Sequence, residues 1–268
     1  FVLSSTKMEK YMAFTFIMQN IAANLGGMLT PFGNPQNLYL YTKFNIPNGK
    51  FVSIMLLPFL VSVAIITLCC IIFVKNEKLK LEEEKVHINP VKAFLYMVLF
   101  VLSIAIVFRT IPYWIGLIII PAVLFVMDKN ALKMVDYPLL LTFVFFFIFS
   151  GNMARIGVVR EFFSALLEKS TLLFSILSCQ IISNVPSAIL LSQFTSDYKE
   201  LLLGVNIGGV GTLISSLASL ITFREYVKHN PARTKYYIGM FSAYNFGFLF
   251  GIERQSAFIC CILCPISI

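Results

Sequence analysis

Residues 24–41 read NLGGMLTPFGNPQNLYLY, and residues 206–223 read NIGGVGTLISSLASLITF. Laid side by side without a gap, Asn24 falls on Asn206, Gly26 and Gly27 on Gly208 and Gly209, Thr30 on Thr212, and Leu38 on Leu220. Gly33, Asn34 and Asn37 fall opposite Ser215, Ser216 and Ser219. So many small and polar matches inside apolar sequence indicate an internal repeat. Each copy carries Gly, Asn and Thr, and the first also Pro31 and Pro35, in the middle of a stretch otherwise apolar enough to be a helix. Proline removes a backbone donor and interrupts the helical ladder, and glycine permits unusual backbone angles and close approach. In hydrocarbon, each unsatisfied backbone group costs several kcal/mol. Helices broken this way must therefore lie inside protein or against a watery cavity. Freed carbonyls suit a cation there, and half-helix N-termini suit an anion. Paired broken helices in two halves of a repeat point to a transporter binding site. The glycine pairs have a second reading, since small residues also let membrane helices pack closely.

Just before the second copy lies SCQIISNVPSAILL, residues 178–191. Ser183-Asn184-Val185-Pro186 interrupts an apolar run and reads as the tip of a helix–turn–helix hairpin, with its Ser and Asn side chains free to act as ligands. The equivalent tip before the first copy would fall at or before Phe1. The chain does not begin with Met, so the expectation is a fragment missing its N-terminal portion.

The surroundings set the class. Apolar residues make up 58% of the chain, charged residues 13%, and the mean hydropathy is +0.84. Soluble domains hold roughly 45–50% apolar and about 25% charged residues, so this chain reads as a polytopic α-helical membrane protein. Clear spans are expected at 51–74, 91–109, 111–127, 137–150 and 236–252. Interrupted apolar stretches cover 11–42, 172–195 and 198–222. Four regions follow: 1–42, a first-repeat segment broken at 30–37; 43–150, scaffold helices with a solvated connector at 75–92; 151–223, the second-repeat hairpin and broken helix; and 224–268, a basic loop and a C-terminal helix. If 172–195 is a re-entrant hairpin that returns to its own side, Lys and Arg concentrate on the side of 75–92 and 224–235, as cytoplasmic loops do. A crossing at 172–195 would put the basic 224–235 segment outside.

The net charge of +8 does not indicate nucleic acid, because the basic residues lie between apolar runs and report topology. Cys69, Cys70, Cys179, Cys260, Cys261 and Cys264 all sit in apolar sequence, where cysteine behaves as a small hydrophobe. The CxxC of Cys261 and Cys264 has no second pair, and a structural metal site takes about four ligands. His87 and His229 lie in connectors. No intramembrane nucleophile–base pair or HExxH pattern is present, so an enzyme is not expected and no cofactor is assigned.

NLGGMLTPFGNPQNLYLY, SNVPSAILL and NIGGVGTLISSLASLI together resemble the signature segments of citrate-transporter-like and arsenite-permease-like proteins of the ion transporter superfamily. The resemblance covers most of the chain. It implies an all-α fold of two inverted repeats, each with scaffold helices, a re-entrant hairpin and a broken helix, moving like an elevator. It implies a bacterial inner (plasma) membrane protein, multi-pass, with the lipid bilayer and a small anion as partners and a homodimer as one option. Carried over by motif, Thr30, Asn34, Asn37, Asn184, Thr212 and Ser216 would face substrate. Gly33, Asn34, Ser183, Asn184, Gly211 and Ser215 would hold a coupling cation, sodium or a proton; no other metal is implied. The leading function is cation-coupled transport of a di- or tricarboxylate. An arsenite-type permease or sodium/proton antiporter of the same fold is the alternative. Proton exchange favours an intramembrane carboxylate, yet Asp128, Asp136 and Asp197 all lie at span ends. A non-transport membrane protein is the remote third option. The C-terminal GIERQSAFICCILCPISI departs from the resemblance, and no role is assigned to it.

Overall fold

A computed structural model describes the backbone of residues 9–74 and 89–263 and the side chains of residues 10–74 and 89–253. Among the described residues the secondary structure is helical, with no strand. In chain order the helices are α1 (Met12–Gly26), α2 (Pro35–Lys43), α3 (Asn48–Phe73), α4 (Pro90–Val107), α5 (Tyr113–Met127), α6 (Lys129–Lys133) and α7 (Tyr137–Met153). They continue with α8 (Gly157–Lys169), α9 (Thr171–Ile182), α10 (Asn184–Leu191), α11 (Tyr198–Ile207), α12 (Leu217–His229) and α13 (Thr234–Leu263). Most of the 75–92 connector, with His87, lies outside the described residues, as do Cys264 and the side chains of Cys260 and Cys261.

Local sequence sets the helix starts. Asn89 caps α4 by accepting from the amides of Val91 and Lys92, and Pro90 takes the first helical position, where its missing N–H costs nothing. Ser170 caps α9 by accepting from the Leu173 amide. Asp197 caps α11 by accepting from the Glu200 amide. Glu200 in turn accepts from the Leu172 amide at 2.9 Å, so the first turn of α11 supplies a carboxylate to the N-terminus of α9, and α9 packs along α11.

The chain divides into two compact units. The first, 1–81 with 146–268, holds the core. Ile17, Ile21 and Leu25 of α1, Leu40 of α2, Phe51 of α3, Leu201 and Leu202 of α11, and Tyr237 and Phe241 of α13 are all fully buried there. The second, 82–145, carries α4 to α6 and the start of α7. At its surface the large side chains are apolar: Phe94, Leu117 and Val126 are each more than 70% exposed. Runs of exposed apolar side chains on this scale are foreign to a protein in water and match a bilayer.

The expected spans 51–74 and 91–109 are α3 and α4, among the described residues the two single helices long and apolar enough to cross a membrane. The expected 111–127 and 137–150 are α5 and α7; α7 meets α8 at a bend of 97°. α8 carries Arg160, Glu161, Glu168 and Lys169. The expected 236–252 lies within α13, which runs on to Leu263.

Candidate functional site

Both copies of the repeat break their helix, and both restart it at matched residues. After α1 the chain makes a short 3-10 turn at Gly27–Leu29, runs extended at Thr30 and turns through Pro31–Gly33. Asn34 is extended (φ −139°, ψ 147°) and α2 begins at Pro35. After α11 the chain turns from Gly208, and Ser216 is extended (φ −150°, ψ 155°) before α12 begins at Leu217. Asn34 is aligned with Ser216, and Pro35 with Leu217. One expectation needs correcting: the first break spans 27–34 and not 30–37. Pro35 does not stop a helix; it opens one, because its locked φ and missing N–H suit the first helical position. Asn37 therefore sits in the first turn of α2. The second break is 208–216 and takes in Gly211, Thr212, Ser215 and Ser216.

The two breaks are joined by crossed hydrogen bonds between buried side chains. Asn24, near the end of α1, donates to Ser216 Oγ at the start of α12 (2.9 Å). Asn206, its repeat mate at the end of α11, donates to Asn37 Oδ1 in the first turn of α2 (2.6 Å). Each matched asparagine thus reaches into the opposite break. Asn20 extends the first link: it accepts from Asn24 and from Ser219 Oγ, and donates to Asn245 of α13. Gln36 extends the second by donating to Asn206 Oδ1. Asn20, Asn24, Gln36, Asn37, Asn206 and Asn245 are all buried. Buried amides hold together only when paired, and here they pair with each other.

The α9–α10 segment docks on the second break. Ser183, between the two helices, has φ +73°, an uncommon conformation for a residue with a side chain. That geometry turns the Asn184 amide onto the Ser215 carbonyl (2.9 Å), and Ser183 Oγ donates to the same oxygen (3.3 Å). Gln180 supplies the rest. Its Nε2 donates to the carbonyls of Gly208 (2.9 Å) and Val210 (3.3 Å), and its Oε1 accepts from the Thr212 amide (2.9 Å). Thr212 Oγ1 donates to the Gln180 carbonyl (3.0 Å). Gly211 lies against this amide at φ +136°. Asn184 is buried, its Oδ1 accepts from the Val185 amide, and its Nδ2 lies against Gly209. A side chain at Gly209 would meet Asn184 Nδ2 at 2.8 Å and Asn24 Oδ1 at 3.2 Å.

Of the expected site residues, the structure brings Ser183, Asn184, Gly211, Thr212, Ser215 and Ser216 together around the second break. Thr30, Gly33 and Asn34 lie in the first, where Asn34 Nδ2 donates to the Asn24 carbonyl (2.9 Å), and Asn37 reaches back to it from the first turn of α2. Reading the sequence passed over Gln180, Asn20, Gln36 and Asn245. Gln180 had a signal, a lone amide within the apolar run before Ser183. Among the described residues no group of three or more His, Cys, Asp or Glu could hold a metal ion. His229 lies at the end of α12, against Glu225.

A family model for citrate transporters matches residues 2–197. The chain belongs to the citrate transporter family. An uncharacterized transporter of Methanocaldococcus jannaschii is 35% identical over 209 residues, 78% of this chain and 57% of the relative. The inner membrane protein YbiR of Escherichia coli is 29% identical over 213 residues, with the same two shares. The chain thus spans little more than half the length of these curated relatives. No solved structure gives a significant match. The family match takes in the first break and α9–α10 and ends before α11. The second broken helix of this citrate transporter family member therefore rests on the internal repeat and on the backbone itself. Family and exposed apolar helices together make the chain part of an integral membrane protein.

Proposed function

We propose that the protein is a cation-coupled secondary transporter of a small anion of the di- or tricarboxylate class. The observation that carries this is the pairing of two matched helix breaks through buried amides, with an α9–α10 tip bonded to one of them. α2 and α12 open at the paired breaks, each after an extended Asn34 or Ser216, and a helix N-terminus favours an anion. Amide and hydroxyl groups of Thr30, Asn34, Asn184, Thr212 and Ser216 would orient a carboxylate-bearing substrate, while Asn37, expected among them, has its amide taken up by backbone carbonyls and Asn206. A coupling cation would fit the second break, where Ser183, Asn184, Gly211 and Ser215 offer hydroxyl, amide and carbonyl oxygens. These donors include no carboxylate, which favours anion transport over proton exchange.

In this reading α9–α10 is a re-entrant hairpin, the two repeats are inverted, and the crossed breaks slide as one body against the scaffold helices. The membrane would be a bacterial inner membrane, as the name of the Escherichia coli relative suggests, and the working unit a homodimer.

The test is uptake of labelled citrate, succinate and arsenite by the full-length protein, with and without sodium. Citrate or succinate uptake stimulated by sodium is expected. Asn184→Ala is expected to abolish that stimulation while leaving membrane insertion intact. A correctly inserted protein that takes up none of the three would overturn the reading.

A further inference from the structure

We infer that the first break takes no coupling cation, because the side-chain amide nitrogen of Asn37 already fills the carbonyl nest where one would sit; this rests on the transporter reading. In each break the repeat presents the same pair of carbonyls, Gly27 and Thr30 in the first, Gly209 and Thr212 in the second. In each, a single side-chain donor bridges the pair. In the second break it is Ser215, whose Oγ lies 2.9 Å from the Gly209 carbonyl and 2.8 Å from that of Thr212 and gives its one proton to either. In the first break it is Asn37, whose Nδ2 lies 3.2 Å from the Gly27 carbonyl, 3.2 Å from that of Met28 and 3.3 Å from that of Thr30.

The two donors do not occupy matched positions. Ser215 is aligned with Gly33, and Asn37 with Ser219. The shift has a steric cause. A side chain at Gly33 would come 2.1 Å from the Gly27 carbonyl oxygen and 2.9 Å from Thr30 Oγ1, so no serine fits there. The bridging donor has to come from one turn into α2 instead.

The exchange changes the chemistry. A serine hydroxyl is donor and acceptor at once. When a cation arrives it can turn its proton away, and Oγ then joins the same carbonyls as a ligand. An amide nitrogen carries two donors and has no acceptor capacity, so it repels a cation and occupies its place. The Asn37 amide is also locked in that orientation. Its Oδ1 accepts from Asn206 Nδ2 at 2.6 Å, and that nitrogen is itself anchored to the Leu202 carbonyl at 2.8 Å. Turning the Asn37 amide over would set nitrogen against nitrogen there and oxygen against three carbonyls. Asn34, expected as a cation ligand beside Gly33, likewise turns its Nδ2 to a carbonyl. The first break is thus closed by the protein's own N–H groups, and only the second keeps a donor set that can open to a cation.

Sodium binding to the purified full-length protein tests this without any transport assay. Equilibrium binding of radioactive sodium to the wild type is expected to saturate at no more than one ion per chain; two ions per chain would overturn the inference. Asn37→Asp puts a carboxylate oxygen among the three carbonyls, and a cation would relieve the repulsion. Its Tm is expected to be depressed without sodium and to rise on the order of 5 °C more than that of the wild type when sodium is added. An equal sodium response in the two proteins would count against the inference. Asn37→Ala serves where the Asp variant does not fold: it should lower Tm and leave the sodium binding of the wild type unchanged, whereas loss of a bound sodium would make Asn37 a ligand. A protein that shows this pattern yet moves no substrate would refute the transporter reading alone.

Discussion

At Gly211 the backbone runs at φ +136°, and a Cβ there would lie 2.1 Å from Gln180 Oε1. Any L side chain therefore meets two penalties, backbone strain of about 1–3 kcal/mol and displacement of the amide that accepts from Thr212. Gly211→Ala is expected to lower Tm by several degrees and to abolish uptake, whereas Gly26→Ala, at a helical residue with open space around its Cβ, should be nearly silent in Tm. Thermal denaturation of the two variants in detergent checks the contrast. A different residue sets a pH dependence in the loop after α5. The Tyr96 hydroxyl, and then Lys92, hold the Asp128 carboxyl below the usual carboxylate range. A lowered folded pKa means that the contribution is fully present above the ordinary carboxylate value and is lost as pH falls through the lowered one. Tyr96→Phe should therefore lower Tm at neutral pH, and in a Tm-against-pH profile the gap to the wild type should close as pH falls through the lowered value.

Between elements, the crossed asparagine links hold α1 to α12 and α11 to α2. Asn24→Ala and Asn206→Ala each leave buried polar partners behind, at an expected cost of about 1–3 kcal/mol. Both links join the same two breaks, so the double variant should cost less than the two singles together, with a coupling energy on the order of 0.5–3 kcal/mol. Denaturant unfolding of the three variants measures it, and strict additivity would mean that the breaks are held independently. Asn24 and Asn206 are legible in the sequence as repeat mates, and so is the presence of a break in each copy, because Gly, Pro and Asn inside apolar sequence leave a local signature; the restart of each second half-helix after Asn34 and Ser216 is not. The crossing was not legible. Aligning a repeat pairs like with like, whereas the folded chain bonds Asn24 to Ser216 and Asn206 to Asn37, residues the alignment keeps apart. Asn20 was invisible for a related reason: it stands opposite Leu202, so the repeat carries no trace of it. Pro35 was read as a stop because the sequence does not show on which side of a proline the helix lies. Gln180 was passed over because a lone amide in an apolar run has many readings until its partners, three segments of chain away in fold order, are in place.

In the second unit large apolar side chains of α4 and α5 are exposed, and in the first unit amides and hydroxyls are buried around the two breaks. A bilayer requires this inversion of the usual arrangement wherever backbone is non-helical. The sidedness of the chain then hinges on one segment, α9–α10. If it re-enters and returns, the basic stretch with Arg224, Lys228, Arg233 and Lys235 lies on the cytoplasmic side, where Lys and Arg are favoured. If it crosses, that stretch is outside and the charge bias is reversed. α12 leaves Lys228 exposed, so a probe can reach a cysteine placed there. In the full-length protein with its native cysteines replaced, Lys228→Cys is expected to resist a membrane-impermeant maleimide in intact cells and to label fully in inside-out vesicles. Labelling of intact cells would mean that α9–α10 spans the bilayer. The bond network from Gln180, Ser183 and Asn184 would then hold a transmembrane pair to the second break, and the re-entrant hairpin would have to be abandoned while the crossed breaks remained.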